Sequence, residues 1–70
     1  MNYLVVIEAG EKSFGAYVPD LPGCVAVAES RQEVTVLIRE AIEHHVADLR
    51  ASNLPVPRPS SVGTRIDVRP

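Results

Sequence analysis

The sequence predicts an α+β fold of order β-β-β-α-β, a three- or four-stranded, mainly antiparallel sheet carrying one helix on one face. Three observations carry that expectation. Short apolar, β-branched runs fill the first 28 residues. A single apolar stripe at period 3.6 runs from Val34 to Leu49. Between the second and third runs lies Tyr17–Cys24, Y-V-P-D-L-P-G-C, a corner rich in proline and glycine.

Tyr3–Glu8 reads as the first strand, and its Leu4, Val5, Val6 and Ile7 are all apolar, as in a strand covered on both faces. Ala9–Lys12 is a hairpin-sized polar connection. Ser13–Val18 is the second strand, with Gly15 inside it marking a bulge or a close backbone approach. Pro19 lacks an N–H and stops the ladder. In Leu21-Pro22-Gly23-Cys24, Pro22 pre-sets φ at the second turn position and Gly23 supplies the positive φ a type II turn needs at the third. Asp20 is expected to cap this corner through its side chain. Cys24–Ala28 is the third strand, again apolar throughout.

Ser30-Arg31-Gln32-Glu33 matches a capping box, with the Ser30 hydroxyl accepting from the Glu33 N–H and the Glu33 side chain reaching back to the Ser30 N–H. The helix that follows places Val34, Leu37, Ile38, Ala41, Ile42, His45, Val46 and Leu49 on one stripe, with Arg39, Glu40, Glu43 and Asp48 off it. Asn53 and Pro55 end it. Residues 54–59 are a stiff, proline-rich connector along the surface. Ser60–Gly63 is a loop, and residues 64–68 (T-R-I-D-V) alternate polar and apolar as a short edge strand does.

Seventy residues make one domain, 1–70, of a size that buries only about 60% of its unfolded surface. Small domains of this kind lean on disulfides, metals or association. One cysteine excludes an internal disulfide, and no metal-ligand spacing is present, so association is the remedy left. Strands one and three are apolar on both faces, and one helix covers one face. Leu4, Val6, Val25 and Val27 are therefore candidates for an oligomer interface, a dimer first and a tetramer next. No signal peptide or membrane-spanning segment is visible, which makes a cytoplasmic location the expectation.

Charge is unevenly spread. Residues 1–49 hold eight acids against three bases, net −5, and residues 50–70 hold four arginines against one aspartate, net +3. An acidic body suits a basic partner. Catalysis finds little support. His44 and His45 are helix neighbours that do not face each other, the acids form no recognisable carboxylate pair, and Cys24 has no base beside it. The four glycines are dispersed, so there is no phosphate loop. No catalytic, cofactor or metal residue is assigned.

Four stretches together resemble the HicB antitoxin family: Y-V-P-D-L-P-G-C at Tyr17–Cys24, the leading Y-L-V-V-I-E, E-A-I at Glu40–Ile42 within the helix, and L-P-V-P-R-P at Leu54–Pro59. The resemblance covers about residues 3–60. It implies a partial ribonuclease H-like domain of β-β-β-α-β order that binds and neutralises a small HicA-type toxin, itself a cleaver of messenger RNA. Many such proteins add a C-terminal DNA-binding module. Only eleven residues follow Pro59, too few for one, so direct promoter binding is not expected. The ribonuclease H active site needs several carboxylates around metal ions. The first strand offers only Glu8, so the implied fold does not bring nuclease activity with it. The alternative to a toxin-binding antitoxin is a solitary oligomeric regulatory or scaffolding module.

Overall fold

A computed structural model describes the whole chain, Met1–Pro70. Three strands, β1 (Val6–Ala9), β2 (Phe14–Tyr17) and β3 (Val25–Ala28), precede one helix, α1 (Arg31–Ala51). The sheet is antiparallel in the order β1-β2-β3. The ladders are shorter than the apolar runs that signal them. Register is continuous, with Val6 opposite Tyr17 and Tyr17 opposite Val25, then Glu8 opposite Gly15 and Gly15 opposite Val27. Gly15 is thus neither a bulge nor a close approach, and a Cβ added there would meet nothing within 4 Å.

The core lies between the sheet and α1. Ala16, Val18, Leu21, Cys24, Val34, Ile38 and Val46 are buried, with Leu21 and Val34 fully enclosed. Tyr3, Val5, Ile7, Phe14, Ala26 and Ala28 pack against them from the sheet side. These are the side chains that the period-2 rule directs to one face. Their neighbours of opposite parity face outward, where no helix covers them. On α1 the stripe is mostly inward, but Leu37 lies on its flank and stays 42% exposed. A single helix buries only the centre of its apolar stripe against a narrow sheet.

Both ends of α1 are closed by local hydrogen bonds. The Ser30 hydroxyl accepts from the Glu33 N–H at 3.1 Å and in turn donates to Glu33 Oε1 at 3.2 Å. The return contact of the capping box therefore uses the Ser30 hydroxyl instead of its N–H. At the other end, Asn53 takes φ 55°. Its N–H donates to the Arg50 carbonyl at 3.1 Å, and the Leu54 N–H donates to the Leu49 carbonyl at 2.9 Å. That pair of bonds is a Schellman closure with asparagine at the left-handed position.

After α1 the chain folds back across the end of the sheet where β1 begins and β2 ends. Val56 packs on the core, and the Tyr3 hydroxyl donates to the Pro57 carbonyl. Gly63 reaches the opposite side of the sheet, where a Cβ would lie 3.5 Å from Leu4 Cδ1. The tail thus passes from the helix side of the sheet to its open side.

The expected strand at 64–68 does not form within the chain: Thr64–Val68 pairs with none of the three strands. Its pattern is strand-like, but the tail leaves the body beside β1 without entering the sheet's ladders. Val62, Ile66 and Val68 are 87%, 78% and 79% exposed. The radius of gyration is 13.8 Å, against about 11 Å for a compact chain of this length, and the long dimension is 49 Å. The excess length is the projecting tail. No helix is long and apolar enough to cross a membrane.

Candidate functional site

The corner at Tyr17–Cys24 is two consecutive turns closed by one ladder bond. The Leu21 N–H donates to the Val18 carbonyl, and the Cys24 N–H donates to the Leu21 carbonyl, each at 3.0 Å. The Val18 N–H then donates to the Cys24 carbonyl at 3.2 Å, joining the ends of β2 and β3. Gly23 sits at φ 85°, the left-handed value at the third position of the second turn. Leu21 points inward and is fully buried, so the corner contributes to the core as well as turning the chain. Pro19, Pro22 and Gly23 are exposed. Cys24 is buried, and desolvation pushes its thiol pKa above the ordinary value, which disfavours the reactive thiolate.

Asp20 acts at long range and not on its own turn. Its Oδ2 accepts from the backbone N–H groups of Ser60 and Ser61 at 2.8 and 2.9 Å. Its Oδ1 accepts from their hydroxyls at 3.1 and 2.7 Å. These bonds favour the ionised carboxylate and lower its pKa to about 2, the Ser61 N–H being the largest cause. The Asp20–Ser60–Ser61 clamp was not foreseeable from the sequence, because no periodicity links residues forty positions apart. The only available signal was a polar Ser-Ser pair just after the prolines.

Three surfaces remain for a partner. The open sheet face carries Leu4 and Val6, both half-buried, with Val25 and Val27 at 62% and 68% exposure and Tyr17 at 41%. The structure thus brings the four interface candidates onto one side of one sheet. A second surface is a groove of about 390 Å³ between β1 and α1. Tyr3, Val5, Ile7, Ile38 and Ile42 line it, and Arg39 and Glu43 are at its rim. It exists because α1 lies over β3 and β2, leaving the inner side of β1 only partly covered. The third is the outer side of α1, where exposed Glu40 and Glu43 stand beside exposed His44 and exposed Glu33 lies nearer the start of the helix. His45 is half-buried on the other side, so the two histidines diverge. No three His, Cys, Asp or Glu side chains come together in a way that could hold a metal ion.

The fold is thus a small antiparallel sheet backed by one helix, with a helix-side core, an open apolar face, a groove beside β1 and an acidic helix side. The chain matches the HicB-like antitoxin of bacterial toxin-antitoxin systems over residues 3–69, and it belongs to that family. It is similar to a UPF0150 protein of Helicobacter pylori, 45% identical over 49 residues, spanning 70% of this chain and 68% of the relative. It is also similar to a UPF0150 protein of Thermoplasma acidophilum, 34% identical over 59 residues, spanning 83% of this chain and 86% of the relative. No solved structure matches.

Proposed function

We propose that this protein is a non-enzymatic antitoxin that binds a small, basic, HicA-type toxin and keeps messenger RNA from reaching it. The family match across residues 3–69 is the observation that carries this reading. The acidic side of α1 supports the mechanism. Glu33, Glu40 and Glu43 are exposed on the helix, on the part of the chain whose net charge is −5. A toxin that grips RNA must present basic groups, and an acidic helix laid over them competes directly with phosphate. Charge complementarity of this kind mainly speeds encounter and rejects wrong partners, while apolar contacts at the centre hold the complex. A cytoplasmic site of action, where messenger RNA is translated, follows from that role.

The experiment is co-purification of tagged protein with a HicA-type toxin at rising salt, using the unmodified chain and the double substitution Glu40→Lys with Glu43→Lys. Both side chains are exposed, so the substitution leaves the core intact. The expected result is a complex with the unmodified chain that forms more slowly, and with a weaker salt dependence, after charge reversal. No complex with the unmodified chain at low salt would overturn the reading. Unchanged association kinetics after charge reversal would remove α1 from the interface.

A further inference from the structure

We infer that the tail, Val62–Pro70, is an exchanged strand that completes the sheet of a second copy of this chain by pairing with the open edge of β3. Four features of the fold lead there. The segment 64–68 has the alternation of a strand, yet pairs with nothing in its own chain, and it holds Ile66 and Val68 in solvent. An extended segment with unpaired N–H and C=O groups is a template for strand addition. It is also fixed at its root. The Asp20 clamp holds Ser60 and Ser61, and Gly63 abuts Leu4, so the arm departs from the open side of the sheet in a set direction.

The receiving surface is equally defined. β3 is a sheet edge, and its outward residues Val25 and Val27 are the two most exposed apolar side chains of the folded body after Met1. Leu37 stands on the flank of α1 away from the β1 groove, hence beside β3, and is also exposed. Apolar surface therefore wraps around the β3 edge from both sides. A strand added there with Ile66 and Val68 on the open face sets them next to Val25 and Val27, because neighbouring strands share the facing of paired residues.

The arm's own β3 is not the partner. The arm leaves beside Leu4 at the β1 side, and β2 and β3 lie beyond β1 in the sheet order. Reciprocal exchange between two copies satisfies both arms and both β3 edges under two-fold symmetry. The fourth strand of the β-β-β-α-β order is then supplied in trans. This inference does not depend on toxin binding, and its test uses the protein alone.

Light scattering on the unmodified chain over a dilution series should give the mass of two chains, dissociating to one. Removal of Val62–Pro70, which spares Ser60 and Ser61, should give one chain at every concentration with the helical circular dichroism retained. The double substitution Ile66→Asp with Val68→Asp should do the same. Both side chains are exposed in the single chain, so a loss of association there is not a loss of folding. Val27→Asp should also yield single chains, from the receiving side. A monomeric unmodified chain would overturn the inference, as would a dimer whose dissociation is unchanged by the double substitution or by removal of the arm.

Discussion

Four of the side-chain hydrogen bonds in this small protein end on one carboxylate, that of Asp20. They join the corner after β2 to the tail after α1, segments forty residues apart in the chain. The carboxylate's pKa is depressed to about 2 from an ordinary 3.8. A depressed folded-state value means that the ionised form is favoured by folding. Its contribution to stability is complete above the unfolded value and fades as pH falls through the folded one. The clamp should therefore hold unchanged from neutral pH to about 4 and weaken between about 4 and 2. A carbon-detected titration of Asp20 should show a midpoint near 2, and Asp20→Ala should lower the melting temperature at pH 7 but make little difference near pH 2. An ordinary carboxylate midpoint would show that the serines do not hold it in solution. Gly23 is the other exacting residue. A valine at φ 85° is strained, and Gly23→Val should cost about 1–3 kcal/mol in chemical denaturation. The need at Gly23 is legible from Pro-Gly alone, since only turn chemistry is involved. The clamp is not, since Asp20 reads equally well as a local turn cap.

At the scale of elements, the helix is the best-announced part of the chain. Its start is written in Ser30 and Glu33 and its stop in Asn53, and the structure places a cap or a left-handed residue at each. Ser30→Ala should remove the acceptor for the Glu33 N–H and destabilise the fold by about 1 kcal/mol, measurable in urea. A melt and a urea midpoint unchanged by it would mean that water caps α1 as well as the hydroxyl does. The strands are announced less sharply. Tyr3–Glu8 is apolar beyond the four residues that pair, because Tyr3 and Val5 pack against the core without joining the ladder. The T-R-I-D-V segment has the right alternation and no partner within the chain. Periodicity reports that a segment suits a sheet. It does not report whether the path of the chain brings that segment into a ladder.

For the molecule as a whole, one helix cannot cover both sides of a sheet that carries apolar side chains on both faces. The open face with Val25 and Val27 is the consequence of that shortage. The acidic side of α1 lies on the opposite side of the molecule from the open face, because α1 covers the inner face of the sheet. An assembly through the open face and the β3 edge leaves the helix free for a different partner. A toxin on the helix and a second copy on the sheet are thus compatible occupants, and the family's antitoxin role needs no rearrangement of the fold. The most direct measurement is cleavage of a labelled RNA by a HicA-type toxin during titration with this protein. Neutralisation by occlusion predicts that cleavage falls linearly to zero and stops when antitoxin and toxin chains are equal in number. Full cleavage in the presence of excess protein, with no complex by light scattering, would contradict it.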